Sequence, residues 1–289
     1  MNNIAIITDS NSGITQSHAE KLGISVIPMP FNIDGGDYFE DINLTQDEFY
    51  KKLMDDCKVM TSQPSPDSLH SAWDKALQTY DEVVYIPMSS GLSGSCQTAI
   101  ILAEDYDNKV HVADNQRISV TQLQSVYDAM EMASKGYTGA MIKERLEKDR
   151  FNSSIYIMVD TLKYLKAGGR LTPAVAALGT LLKIKPVLQI QGEKLDTFSL
   201  ARTHSQAEAM MSNQMAKDIV GRFGGTDTGA GVKLYVAYSH DRDAAERYAE
   251  ILAKRFPDAE PEIYALSLSV SCHIGPGALA VACSKVETY

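Results

Sequence analysis

Basic residues are scarce in this sequence. Its 289 residues include 27 Lys and Arg against 37 Asp and Glu, a formal net charge of −10. Because nucleic-acid binding depends on clustered Lys and Arg, this balance argues against a nucleic-acid-binding protein. Cysteine is scarce as well, and the four cysteines are Cys57, Cys96, Cys272 and Cys283. They form no Cys-x-x-Cys pair and have no zinc-site spacing, which predicts free thiols in a reducing compartment.

Long apolar runs are also missing. No window of about 18 consecutive apolar residues is present, so the sequence predicts no membrane-spanning helix. The opening MNNIAIITDS lacks the basic segment and the long apolar stretch of a signal peptide, and this predicts a cytoplasmic protein. The chain does have a hydrophobic content of 44%. That is enough for one large domain or two medium domains with their own cores.

Strand and helix signals alternate through the first half. Strands are predicted at residues 4–8, 24–33, 83–87 and 109–114, a hairpin at 34–41, and helices at 15–22, 45–57, 65–80, 118–136 and after the loop at 89–95. Ser65 is a favourable N-cap, Pro66 suits the first helical position, and Asp67 favours the positive end of the helix dipole. The alternation predicts a parallel sheet covered on both faces, as in a Rossmann-like α/β domain.

The second half also predicts an α/β domain. Strands are expected at 154–159, 186–190, 195–200, 232–239 and 262–266, and helices at 205–222 and 243–255. Gly168 and Gly169 are expected to end one helix, while Thr172 and Pro173 cap and begin another. We place a domain boundary near residue 150, which gives an N-terminal domain of residues 1–150 and a C-terminal domain of residues 151–289.

Five loops are rich in glycine and polar groups. They are DSNSG at 9–13, TSQPSP at 61–66, SSGLSGS at 89–95, AGGRL at 167–171 and SCHIGPGA at 271–278. Loops at the carboxyl ends of parallel strands gather at one edge of a sheet, where ligands bind. We therefore expect the first three loops to share that edge.

The loop at 89–95 allows three interpretations. It resembles the Gly-x-Ser-x-Gly turn of a serine hydrolase but ends in Ser95, so the pattern misses by one residue. Ser93, a carboxylate and His273 would follow in the chain order of a hydrolase triad. The loop matches no complete phosphate-binding motif, although amides at the start of the next helix could hold an anion. Alternatively, its glycines and serines make a tight turn and a helix cap.

Four other residues are candidates for a site. His273 precedes a Gly-Pro-Gly run in a predicted loop, and no other histidine lies at metal-ligand spacing from it. A lone histidine is more often structural than catalytic. Arg170 could pair with a structural carboxylate, Lys185 is expected to be solvated or lightly paired, and Arg202 could face solvent or hold an anionic group.

Together, these motifs resemble the DegV family. The matching stretches are IITDSNSGI, TSQPSPDS, SSGLSGSCQTA, DTLKYLKAGGRL, LGTLLKIKPVL and HIGPGALA, in the family's order from residue 4 to 280. The resemblance implies a two-domain α/β protein with a lipid tunnel between or within its domains, which binds one long-chain fatty acid. It also implies the lipid-carrying subunit of a bacterial fatty acid kinase. That subunit is a carrier and not an enzyme, and it presents the acyl carboxyl group to a separate kinase whose acyl phosphate feeds phospholipid synthesis.

The resemblance also assigns residues. The matched positions are Thr61, Ser62, Ser93, Gly94, Arg170 and His273. By resemblance, Thr61, Ser93 and His273 hydrogen-bond the carboxyl group, with Ser62 and Gly94 beside them and Arg170 nearby. Arg202 corresponds to a basic position that faces the kinase or the phosphorylated product. By resemblance, the partners are a fatty acid and the kinase. Any membrane contact is expected to be transient because no basic amphipathic helix is evident, and no cofactor, metal or nucleic acid is expected.

Two departures from the family pattern bear on acyl selectivity. The stretch DNQRISVTQLQS at 114–125 replaces a glycine-spaced pattern, and Ala280 stands where glycine is common. A tail of about 14 methylenes at roughly 0.8 kcal/mol each gives about 11 kcal/mol of transfer free energy before ordering costs, and this demands an enclosed apolar wall. The run at 174–188 could be that wall or ordinary core. A serine hydrolase using Ser93 and His273 stays open as the alternative.

Overall fold

The structure is a computed structural model that describes residues 3–55, 57–169, 184–192 and 194–289. The chain divides into two compact units. Unit 1 comprises Met1–Thr45, Lys58–Phe151 and Glu287–Tyr289, and unit 2 comprises Gln46–Cys57 and Asn152–Val286. The division into domains of residues 1–150 and 151–289 stays a prediction. Within the described ranges, no helix is both long and apolar enough to cross a membrane.

Unit 1 contains the predicted parallel sheet. The strands of unit 1, in both of its sheets, are β1 (Ile4–Asp9), β2 (Ser25–Ile27), β3 (Pro30–Ile33), β4 (Gly36–Phe39), β5 (Val59–Thr61), β6 (Glu82–Ile86) and β7 (Val110–Val112). Its helices are α1 (Gln16–Leu22), α3 (Pro66–Leu77), α4 (Ser95–Ala103), α5 (Val120–Ser134) and α6 (Gly139–Lys148), while α2 (Gln46–Met54) belongs to unit 2. Four strands pair in parallel in the order β2-β1-β6-β7, which confirms the α/β fold class.

Local sequence signals explain where the helices of unit 1 begin. The Ser65 side chain accepts a hydrogen bond from the amide of Ser68 at 3.1 Å, and Pro66 begins α3, as predicted. Thr15 caps α1 in the same way. The helix α6 was missed, although Thr138 caps it by accepting from the Met141 amide. That cap was the signal that could have located it.

The strand predicted at residues 24–33 is wrong, because the chain forms two strands there. β2 lies in the parallel sheet, whereas β3 lies in a separate antiparallel sheet of order β4-β3-β5. Pro28 and Pro30 have no amide hydrogen to donate to a sheet, and the Met29 amide between them donates to the Ser10 side chain at 3.0 Å. The chain therefore changes sheets across this Pro-Met-Pro segment. The predicted hairpin is confirmed as the β3–β4 pair.

Unit 2 is built on a six-stranded sheet of order β10-β9-β8-β13-β11-β12. The strands are β8 (Ser153–Met158), β9 (Lys185–Ile190), β10 (Leu195–Ala201), β11 (Val232–Tyr238), β12 (Pro261–Ala265) and β13 (Leu279–Lys285). The further helices are α7 (Lys163–Ala167), α8 (His204–Gly221), α9 (Arg242–Arg255) and α10 (Leu268–Ile274). Among the described strands of this sheet, β11 and β12 pair in parallel and the other neighbours pair antiparallel.

The central strand β13 was not predicted from the sequence. It lies between β8 and β11 and pairs antiparallel with both. Its residues LAVACSK are nearly all buried, so they lack the alternation of apolar and polar residues that marks a half-exposed strand.

Candidate functional site

The loop that contains Ser93 follows the carboxyl end of β6 and is held by its own amides. The Met88 amide donates to Asp9 Oδ2 at 2.9 Å, the Ser89 amide to the Arg117 carbonyl at 2.8 Å, and the Ser90 amide to Asp114 Oδ1 at 3.3 Å. The Gly91 amide donates to Ser89 Oγ at 3.2 Å, and the amides of Leu92 and Ser93 donate to the Ser89 carbonyl at 3.0 and 3.2 Å. Because these six amides already have acceptors within the protein, the segment 88–93 does not form a phosphate cradle.

Ser93 lies two residues before the first residue of α4. Its Oγ accepts a hydrogen bond from the Ser95 amide at 3.2 Å, and the side chain is half-buried. Gly94 is the N-cap residue and has no side chain to cap the helix. Since a hydroxyl can donate while it accepts, the Ser93 proton is available to a ligand oxygen. Within the described part of unit 1, no histidine hydrogen-bonds Ser93.

The Thr61–Ser62 segment lies at the end of β5, where Thr61 pairs with Phe31 of β3. Thr61 is half-buried and Ser62 is exposed, and the Ser62 amide donates to the Pro30 carbonyl at 3.1 Å. This segment follows a strand of the antiparallel sheet, so the expectation that it leaves the carboxyl end of a parallel strand is wrong.

The loop at 61–65 nevertheless contacts the beginning of α4. Thr98 Oγ1 donates to Gln63 Oε1 at 3.1 Å. The same Gln63 oxygen lies 3.9 Å from the position that a Cβ would take on Gly94. The loops at 61–66 and 89–95 are therefore neighbours, as the sequence predicted.

In unit 2, His273 lies on a helix, so its predicted place in a loop is wrong. It occupies the last turn of α10, and the N-cap residue of this helix, Ser267, accepts a hydrogen bond from the Val270 amide at 3.3 Å through its side chain. The helix ends where the Gly275 amide donates to the Ser271 carbonyl at 2.8 Å. Gly275 has φ of 79°, a left-handed conformation that favours glycine. The glycine-rich pattern after His273 is therefore a helix terminus.

The Gly168–Gly169 pair lies directly against His273. A Cβ on Gly168 would overlap the imidazole ring, so only glycine lets α7 approach the ring this closely. The ring of Tyr164 packs against Gly275 in the same way. Arg170, the residue after this pair, lies outside the described residues, as does most of the predicted apolar wall at 174–188.

Lys185 and Arg202 lie at the same end of the β9–β10 pair, since Lys185 begins β9 and pairs with Ala201, the last residue of β10. Lys185 Nζ donates to Asp160 Oδ1 at 2.7 Å, and the same oxygen lies 3.3 Å from His204 Nε2. Arg202 is exposed, and its amide donates to Gln206 Oε1 at 2.8 Å. Sequence reasoning missed Asp160 and His204. The only available signal was a carboxylate directly after a buried strand.

The family model described as "Uncharacterised protein, DegV family" matches residues 3–286 of the chain. The chain belongs to the DegV family. A DegV domain-containing protein of Listeria innocua is 32% identical over 96% of this chain and 97% of its own length. Two solved structures are also similar. A fatty-acid-binding DegV family protein of Thermus thermophilus is 30% identical, with a TM-score of 0.88 over 98% of this chain and 100% of its own. DegV of Bacillus subtilis, a fatty acid binding protein, is 27% identical, with a TM-score of 0.87 over 99% of this chain and 100% of its own.

The DegV motifs fall into two groups in the structure. Unit 1 brings together the Thr61–Ser62 and Ser93–Gly94 loops, and unit 2 brings His273 against the Gly-Gly pair that precedes Arg170. Among the described residues, no cluster of three or more His, Cys, Asp or Glu could hold a metal ion. The side chains of Thr61, Ser62, Ser93 and His273 supply hydroxyl groups and an imidazole, which can hydrogen-bond a carboxyl group without a metal.

Proposed function

We propose that this DegV protein binds a long-chain fatty acid and presents its carboxyl group to a separate kinase, which forms an acyl phosphate for phospholipid synthesis. The protein itself is a carrier in this proposal and performs no chemistry. The bound fatty acid is its ligand, and it needs no cofactor. We place it in the cytoplasm, with transient contact to a membrane surface and no role in nucleic-acid binding.

The observation that carries this proposal is the hydrogen bonding of the backbone amides in the Ser93 loop. The backbone amides of residues 88–93 are committed to protein acceptors, so the groups that this segment offers to a ligand are side-chain hydroxyls. Hydroxyl donors suit a carboxyl group, and they leave an oxygen accessible to a kinase, unlike a buried bidentate arginine clamp. The fatty-acid-binding relatives from Thermus and Bacillus support the same ligand class.

The proposal gives each candidate residue a role. Thr61, Ser93 and His273 hydrogen-bond the carboxyl group. Ser62 and Gly94 complete that seat, with Arg170 beside it. An apolar tunnel encloses the acyl tail, and Arg202 faces the kinase or the phosphorylated product.

The test is phosphoryl transfer from ATP to oleate bound by the protein, in the presence of a fatty acid kinase catalytic subunit. Ser93→Ala is expected to lower acyl phosphate formation at least tenfold, in the range for a lost hydrogen bond to a charged group, while the protein stays folded. Ser90→Ala removes a hydroxyl from the same loop and is expected to retain transfer. Unchanged transfer in Ser93→Ala would contradict the role of Ser93.

Two other functions, a serine hydrolase and a lipid sensor, would give different results in assays of ester cleavage and acyl phosphate formation. A serine hydrolase would cleave a simple acyl ester, and Ser93→Ala would abolish the cleavage. In unit 1, Ser93 Oγ is engaged by the Ser95 amide, which suits a hydrogen-bonding role better than nucleophilic attack. A lipid sensor would bind oleate but support no acyl phosphate formation with any kinase.

A further inference from the structure

Asp9, at the end of β1, is a fully buried carboxylate to which the proposed function assigns no role. Its Oδ2 accepts from the Met88 amide at 2.9 Å. Its Oδ1 accepts from the amide and the side chain of Asn11, both at 3.0 Å, and from Gln122 Nε2 at 3.1 Å. All four contacts are donors, so the arrangement suits an ionised carboxylate. A buried carboxylate is costly unless such donors surround it.

Gln122 ties Asp9 to both central strands of the parallel sheet. Its Nε2 also lies 3.1 Å from Thr8 Oγ1 in β1 and 3.1 Å from the Ile86 carbonyl in β6. Thr8 Oγ1 itself donates to that carbonyl at 2.7 Å. The carboxyl ends of β1 and β6 are thus joined at the point where the Ser93 loop begins.

The Ser93 loop is attached to this junction through the hydrogen bond from the Met88 amide to Asp9. Met88 is held by Asp9, and Ser89 then accepts from three amides that follow it, which folds the segment to Ser93 into one compact turn. Moving the Met88 amide would therefore move the Ser93 hydroxyl. An asparagine at position 9 would direct an NH₂ group at one of the four donors and break the arrangement.

We propose that Asp9, held by Gln122, is the positioning residue that sets where Ser93 presents its hydroxyl to the bound carboxyl group. This inference rests on the proposed function. It assigns Asp9 an effect on ligand affinity that passes through Ser93, and not only an effect on stability.

The experiment is a double-mutant cycle on the delipidated full-length chain, titrated with oleate. Asp9→Asn is expected to weaken oleate binding about tenfold when Ser93 is present, and less than about threefold in the Ser93→Ala background, because residues of one network are not additive. Hydrogen–deuterium exchange is expected to speed up in segment 88–95 of Asp9→Asn. Gln122→Met is the second variant if Asp9→Asn does not fold, with the same pattern expected.

Asp218 provides a matched control in unit 2. It is a buried carboxylate on α8 that accepts from Ser154 Oγ at 2.7 Å and from the Tyr156 hydroxyl at 2.6 Å. Asp218→Asn is expected to lower the melting temperature and leave oleate affinity unchanged. If the wild-type chain binds no oleate, the proposed function fails. If it binds oleate and the effects of the Asp9 and Ser93 changes simply add, or Asp9→Asn binds normally, the positioning role is overturned.

Discussion

At the scale of single residues, the sequence identified groups that a ligand could meet but not those that hold them in place. Ser93 and His273 stand out because hydroxyl and imidazole groups beside glycine are typical of binding loops. Asp9 and Gln122 do not stand out, since their importance comes from burial and from contacts more than 100 residues apart in the chain. Such contacts require the folded sheet.

Ser119 has a strained backbone that one substitution should relieve. Its φ of 55° and ψ of −137° lie in a region that glycine tolerates far better than serine. Ser119→Gly is expected to raise the free energy of unfolding by about 1 kcal/mol or more, measured by urea denaturation. The control is Ser134→Gly. Ser134 lies in the last turn of α5, the helix that Ser119 precedes, and the change is expected to lower the free energy of unfolding by roughly 0.5–1 kcal/mol. Equal losses in both variants would contradict strain at Ser119.

The Asp9 carboxyl gives stability a pH dependence. Burial raises the pKa of Asp9 above its ordinary value of 3.8, opposed by hydrogen bonds from Met88, Gln122 and Asn11. A carboxyl group with a raised pKa takes up its proton first in the folded state. Stability relative to Asp9→Asn should therefore fall as the pH rises from 3.8 to the folded-state pKa, and then level off. Urea denaturation of both proteins across this range measures the difference, and a rise with pH would contradict the shift.

At the scale of helices and strands, prediction succeeded where local chemistry decides the outcome. Ser65 and Thr15 cap their helices because a side-chain oxygen meets a nearby amide, which the sequence shows directly. Prediction failed where contacts with distant parts of the chain determine the secondary structure. β13 is recognised only by the two strands beside it, and the helix that carries His273 is too short for an apolar pattern to be visible.

The contact between α7 and α10 predicts a specific effect of one methyl group. Gly168 has an ordinary φ of −78°, so Gly168→Ala introduces no backbone strain but does clash with the His273 ring. We expect oleate affinity to fall at least tenfold, with a loss of about 1–3 kcal/mol in stability, as for other overpacked sites. Titration with oleate and thermal denaturation measure the two effects.

Gly221 provides the control for that experiment. It is the last residue of α8, and nothing lies within 4 Å of the position of its Cβ. Gly221→Ala is expected to leave oleate affinity unchanged and to stabilise the helix by up to about 1 kcal/mol. Normal affinity in Gly168→Ala would show that the position of His273 does not matter for binding.

At the scale of the whole molecule, the order of motifs along the chain was more informative than any single motif. Each loop taken alone was compatible with a turn and a cap, whereas the set in sequence identified the DegV family, which the match over residues 3–286 confirms. The acyl preference could not be predicted, because it depends on the shape of a wall assembled from distant segments.

Arg202 should separate binding from transfer. Its side chain is exposed two residues before α8, and we assign it to the kinase or the phosphorylated product. Arg202→Ala is therefore expected to bind oleate normally and to lower acyl phosphate formation at least fivefold. Arg247→Ala removes another exposed arginine, on α9, and is expected to change neither. Loss of oleate binding in Arg202→Ala would instead place this residue in the binding site.

Fatty-acid binding itself is tested most directly by mass spectrometry of the solvent extract from purified, denatured protein. We expect close to one long-chain fatty acid per chain, and the same spectrum would identify the preferred acyl group. An empty extract, followed by no uptake when the protein is incubated with free fatty acids, would contradict the carrier function and return attention to Ser93 and His273 as a catalytic pair.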